Sequence, residues 1–145
     1  MEYPQQKLDP KWVKKPITED IVKWCESFGK YLAKNKTKNE KDKKTGHITT
    51  VDIRDSKMST SQLRKFFGEV KRIEMQYNPS DVAMLNPLLA YAVGRDEGKT
   101  KIKDFQVEIS KAISEVKNEE DFKNFVQIFE AIVAYHKCYE KQKLQ

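Results

Sequence analysis

The residues best equipped for chemistry in this chain are cations. Arg64 and Lys65 stand side by side, Lys71 and Arg72 follow two turns later, and Arg95 closes an apolar stretch. Lys65, Lys71 and Arg72 share a predicted helix with Arg64 and form a basic strip, which is also what a solvated helix face looks like. The charge is uneven along the chain. Residues 1–77 carry 18 Lys/Arg against 11 Asp/Glu, whereas residues 78–145 carry 10 against 11. A basic half beside a neutral half suggests an anionic partner, most commonly nucleic acid. Lysine equally serves to keep a helical protein soluble.

Other chemistries find little support. There is no glycine-rich phosphate loop, no GxSxG and no HExxH. His47 with Asp52 and Asp55 has the residue types of a metal site, but one histidine and two loop acids meet often by accident. His136 falls on an apolar helical stripe and reads as a hydrogen-bonded core residue or one at a subunit seam. Glu130 and Glu140 have no partner acid, and no nucleophile stands beside a base. The expectation is a chain that is not an enzyme and needs no cofactor or metal. Cys25 and Cys138 lie in helical patterns far apart, so they read as buried thiols; no CxxC pair suggests zinc.

The elements that must position these cations are helical. Met58–Arg95 is the organising stretch. Leu63, Phe66, Phe67, Val70 and Ile73 repeat at three and four residues along one helix face, running to about Gln76. Ser59 with Gln62 has the form of a capping box at its start. AsnProSerAsp at 78–81 signals a turn and a new helix start. Val82–Ala92 is almost wholly apolar and stops at Gly94. Pro87 within it must either kink the helix or sit in a first turn capped by Asn86.

Before that centre, residues 1–17 contain Pro4, Pro10 and Pro16 and should be extended, with Trp12 as the anchor onto the body. Thr18 with Glu19 and Asp20 starts a helix bearing Ile21, Trp24, Cys25, Phe28 and Tyr31 or Leu32, expected to run to about Lys34 with fraying near Gly29. Lys34–Lys44 holds six lysines, two acids and no apolar residue, and reads as a mobile loop within a basic segment 35–57. Ile48, Val51 and Ile53 favour an extended connection, but no second strand is visible to pair with it. After the centre, Ile102, Phe105, Ile109, Ala112, Ile113 and Val116 mark a fourth helix. Asn118 opens a fifth, with one stripe through Phe122, Phe125, Val126, Phe129, Ile132, Val133 and His136. A second stripe holds Ile128, Ala131, Tyr135 and Cys138, so this helix is central to the core or offers a face to another subunit. Tyr91 and Tyr135 have the rings to stack on exposed bases, but within these periodic apolar runs they read as core residues with a satisfied hydroxyl. The fold class is all-α: one helical domain of about five helices over 18–145.

At 145 residues the chain has the length of one domain. Charged residues make up 34%, with 15 aromatics and a mean hydropathy of −0.80, so the exterior must be very polar. No apolar run reaches membrane-spanning length and the first residues have no apolar signal core, so no membrane and a cytoplasmic location are expected.

Several segments together resemble a known family. They are ThrSerGlnLeuArg at 60–64, PhePheGlyGluVal at 66–70, AlaTyrAlaValGlyArg at 90–95, and the helix from Asp121 to Lys137. In that order and separation they look like the small helical subunit of type III-A CRISPR effector complexes, the Csm complexes. The resemblance covers about Ser59–Tyr139 and leaves residues 1–57 outside. It implies a non-catalytic helical subunit, self-associating in several copies stacked head to tail beside the backbone subunits. It further implies contact with the guide RNA–target RNA duplex and with the large signalling subunit. Arg64 and Arg95 match the family's motif arginines, and arginine's planar, permanently charged fork suits phosphate. The alternative from the residues alone is a helical adaptor for another protein, its basic half merely soluble surface.

Overall fold

The computed structural model describes residues 2–141; Met1 and residues 142–145, which end the expected segments 1–17 and 18–145, lie outside the described residues. Four of the α-helix starts among the described residues are capped by a side chain. In helix α1 (Glu19–Leu32) the Thr18 hydroxyl accepts from Ile21 N–H at 3.3 Å. Helix α2 (Thr60–Met75) has a complete capping box: Gln62 N–H donates to Ser59 Oγ, and Gln62 Oε1 accepts from Ser59 N–H. Asn78 caps the one-turn α3 (Pro79–Ala83). Helices α4 (Leu85–Asp96) and α5 (Ile102–Glu115) follow, then α6 (Glu119–Glu140), where Asn118 accepts from Asp121 N–H at 2.8 Å. Five helices of twelve residues or more make the body all-α, as the periodicities predict.

Helix α6 is the central post. Phe122, Phe125, Val126, Ile128, Phe129 and Ile132 are all essentially buried, which requires neighbours on more than one side. One side packs on α1 and the other on α2 and α5. On that second side Phe129 meets Phe66 of α2 edge-on at 5.5 Å, and Phe105 of α5 lies 6.0 Å away. Gly29 does not fray. It is buried within α1, and a Cβ there would stand 2.9 Å from Ile132 O and 3.0 Å from His136 N, so only glycine lets the backbones come this close. Nearby, the buried His136 donates its Nε2–H to Met58 O at 2.6 Å.

Four expectations change. Residues 37–52 are not a loop. Strands β1 (Thr37–Lys41) and β2 (Ile48–Asp52) pair antiparallel, Thr37 opposite Asp52 and Lys41 opposite Ile48. This hairpin buries almost nothing, which is why its lysine-rich first strand carries no strand-like pattern. It is secured at its base, where the buried Ser56 accepts from Lys36 N–H and donates to Ile53 O. Its turn uses Gly46 at φ 71°. The N-terminal segment is not simply extended: Pro10–Lys14 forms a 3-10 helix capped by Asp9, and Leu8 and Val13 join Trp12 in the core. Asn86 caps nothing. Helix α4 begins at Leu85, Pro87 lies in its first turn, and Asn86 Nδ2 donates to Ser114 Oγ. Cys138 is exposed, whereas Cys25 is buried; both thiols are free.

Gly29→Ala is expected to destabilise the fold by about 1–3 kcal/mol, because backbone must move to admit the methyl group. Gly68→Ala, on α2 with nothing within 4 Å of the added carbon, is expected to stabilise by about 0.5–1 kcal/mol through helix propensity. Melting of the two variants checks the contrast. A second expectation concerns pH. Burial holds the His136 pKa below its ordinary 6.5. Above pH 6.5 the imidazole is neutral in both states; below it the unfolded chain takes up a proton that the folded chain refuses, and stability falls. The stability gap between wild type and His136→Gln is therefore expected to narrow as pH drops from about 7.5 to about 5.5, and a constant gap would refute this.

Candidate nucleic-acid interface

Helix α4 packs mainly on α5 and touches α2 only slightly. The two helices diverge, leaving a groove of about 860 Å³. Its floor is the buried Phe66, Leu89, Ile102 and Phe105. Along the α2 wall run Arg64 and Lys65, placed there because Leu63 and Phe66 turn inward to the core. Arg95 lines the α4 wall, and Lys99 follows in the turn after it. All four cations are exposed. Among the described residues, no carboxylate pairs with any of them.

Three carboxylates also line the groove, each with partners of its own. Glu69 is bound by Arg72 at 2.9 Å, and Asp55 lies 3.8 Å from Arg54. Asp96 accepts from Thr100 N–H and Thr100 Oγ at 2.9 Å each, and from Gln62 Nε2 at 3.3 Å. The last set ties the start of α2 to the end of α4 and so sets the mouth of the groove. Glu97 and Gly98, both left-handed, turn the chain there toward α5.

The five cations singled out from sequence thus divide. Arg64, Lys65 and Arg95 come together on one groove from two helices. Lys71 and Arg72 lie further along α2 in ion pairs: Lys71 with Glu74 at 2.6 Å and Glu130 at 3.0 Å, Arg72 with Glu69 and, at 3.6 Å, Asp81. Hydrogen bonding to Glu74, then Glu130, raises the Lys71 pKa, and Glu69 does the same for Arg72. Sequence reasoning missed Lys99, which has no periodic signal because it sits in a turn. It also put Tyr91 in the core. Tyr91 is 67% exposed on the α4 wall, with the Arg95 guanidinium 6.0 Å from its ring centre. Tyr135 is half-buried on α6. Among the described residues no group of three or more His, Cys, Asp or Glu could hold a metal ion, His47 with Asp52 and Asp55 included.

The family profile described as Csm2 Type III-A matches residues 36–142, well over half of the chain. The chain belongs to this family. Membership makes it a small subunit of the type III-A CRISPR Csm complex. The match starts well before Ser59 and takes in the β-hairpin, which the resemblance read from sequence had left outside. No curated protein and no solved structure matches the chain. Among the described residues no helix is long and apolar enough to cross a membrane.

Asp96→Ala is expected to lower stability by about 1–2 kcal/mol through the lost hydrogen bonds. It should also speed amide exchange at Thr100 N–H relative to the α6 core, which a hydrogen-exchange comparison would show.

Proposed function

We propose that this Csm2-family chain is a non-catalytic, cytoplasmic wall of the RNA channel in its complex, contacting the phosphates of the guide RNA–target RNA duplex through the α2–α4 groove. The observation that carries this reading is the convergence of Arg64, Lys65 and Arg95 from two helices, unpaired among the described residues, with Lys99 beside them. A solvated surface has no need to collect unpaired cations at one groove; a phosphate backbone does, and reads no bases when pairing supplies the sequence. Lys71 and Arg72 join only as a flank, since each must exchange a carboxylate for a phosphate. Several copies stacking head to tail beside the backbone subunits, with the large signalling subunit at one end, suit a contact that does not close on itself.

A second reading, an adaptor docking on another protein, is favoured by Met84 just before α4, Leu88 on α4 and Met75 at the end of α2, which are 62%, 41% and 88% exposed. Salt separates the two. Phosphate binding weakens steeply with salt because each neutralised phosphate releases counterion. In the double variant Arg64→Ala with Arg95→Ala, the slope of log affinity for duplex RNA against log salt is expected to become shallower by about 2. Both side chains are exposed, so stability is expected to change by less than about 0.5 kcal/mol. An unchanged slope would overturn the phosphate reading, and unfolding would show that the arginines serve the fold.

A further inference from the structure

The geometry points to a nucleobase-stacking site at the mouth of the groove: Tyr91, backed by Arg95, receives one unpaired base of the bound RNA. This rests on the RNA reading above and adds a ligand feature to it. A duplex backbone asks the protein only for positive charge, and Arg64, Lys65, Arg95 and Lys99 supply that. It leaves the exposed ring of Tyr91 without a role.

Tyr91 lies on the same face of α4 as Leu88 one turn before it and Arg95 one turn after. Tyr91 and Leu88 are both exposed, while the Arg95 guanidinium approaches the tyrosine ring. A tyrosine ring and an arginine plane are both side-chain surfaces on which RNA bases stack. A base is also a flat apolar surface that always arrives with phosphates beside it, and Arg64 and Lys65 face the same groove. Paired bases are covered on both faces by their neighbours in the duplex, so only an unstacked base can take this place. The polar side chains at this mouth, Gln62, Asp96 and Thr100, are hydrogen-bonded to one another. These three are therefore not free to read base edges.

The test uses the full chain and three RNAs of one length: a perfect duplex, the same duplex with one unpaired nucleotide, and that duplex with the unpaired nucleotide abasic. The unpaired base is expected to improve binding by about 5- to 100-fold over both of the others, whichever base is used. Tyr91→Ala should erase that preference and leave perfect-duplex affinity unchanged, while Tyr91→Phe keeps it. Equal binding of the three RNAs, or a preference that survives Tyr91→Ala, overturns the stacking site. If the arginine double variant still weakens all three RNAs, the phosphate reading stands without it; if that variant changes none, the phosphate reading is what fails. Loss of complex assembly by Tyr91→Ala with RNA affinity intact would assign the groove to a protein segment and overturn the base site.

Discussion

The fold depends on how closely α1 and α6 approach. At Gly29 the space for a side chain is filled by the Ile132 carbonyl and the backbone of His136. That proximity makes α6 a helix with two buried sides: one is covered by α1, and the other is free to carry Phe129 against Phe66 and Phe105. The same seam holds the entry to α2. Met58 N–H donates to Leu32 O at 2.9 Å while its own carbonyl accepts from His136. The two ends of the hairpin-bearing connection are thereby drawn together, and the hairpin projects without needing an apolar face.

The buried carboxylates Glu108 and Asp121 are each held by several donors. Glu108 on α5 is buried, and burial alone would raise its pKa. Donation from the Tyr3 hydroxyl, Leu8 N–H and Lys111 outweighs that and holds the pKa below the usual value. Asp121 accepts from Lys14 at 2.6 Å and from Lys117 N–H, and the buried Asn124 donates to Val13 O. These bonds fasten the N-terminal segment to α5 and α6. Lys101 is buried over the Tyr31 ring and donates to Tyr31 O at 2.7 Å, meeting a carbonyl at the end of α1. Desolvation pushes its pKa down to about 8. By contrast, Arg64, Lys65, Arg95 and Lys99 line one groove, exposed and, among the described residues, without a carboxylate partner.

The groove lies where α4 contacts α5 more than α2. Helix α4 follows the single turn of α3 directly and packs on α5, where Asn86 donates to Ser114. The charged walls and the apolar floor are two consequences of one packing choice.

The helices were legible in the sequence because their information is local. Periods of three and four mark Leu63 to Ile73 and Phe122 to His136, and Ser59, Thr18, Asn78 and Asn118 each accept a bond from an amide two or three residues on. The family was legible too, from short segments in fixed order. The hairpin was not, since its strands are joined by backbone hydrogen bonds that leave no pattern of buried side chains in Thr37–Lys41. The site was legible only as a set of cations. Lys71 and Arg72 have carboxylates three residues away on α2 itself, Glu74 and Glu69, a local signal, whereas Glu130 and Asp81 reach them only because other helices pack nearby. Exposure of Tyr91 likewise depends on where α4 packs, because an apolar run marks what can be buried and only the neighbouring helices decide which side of it is.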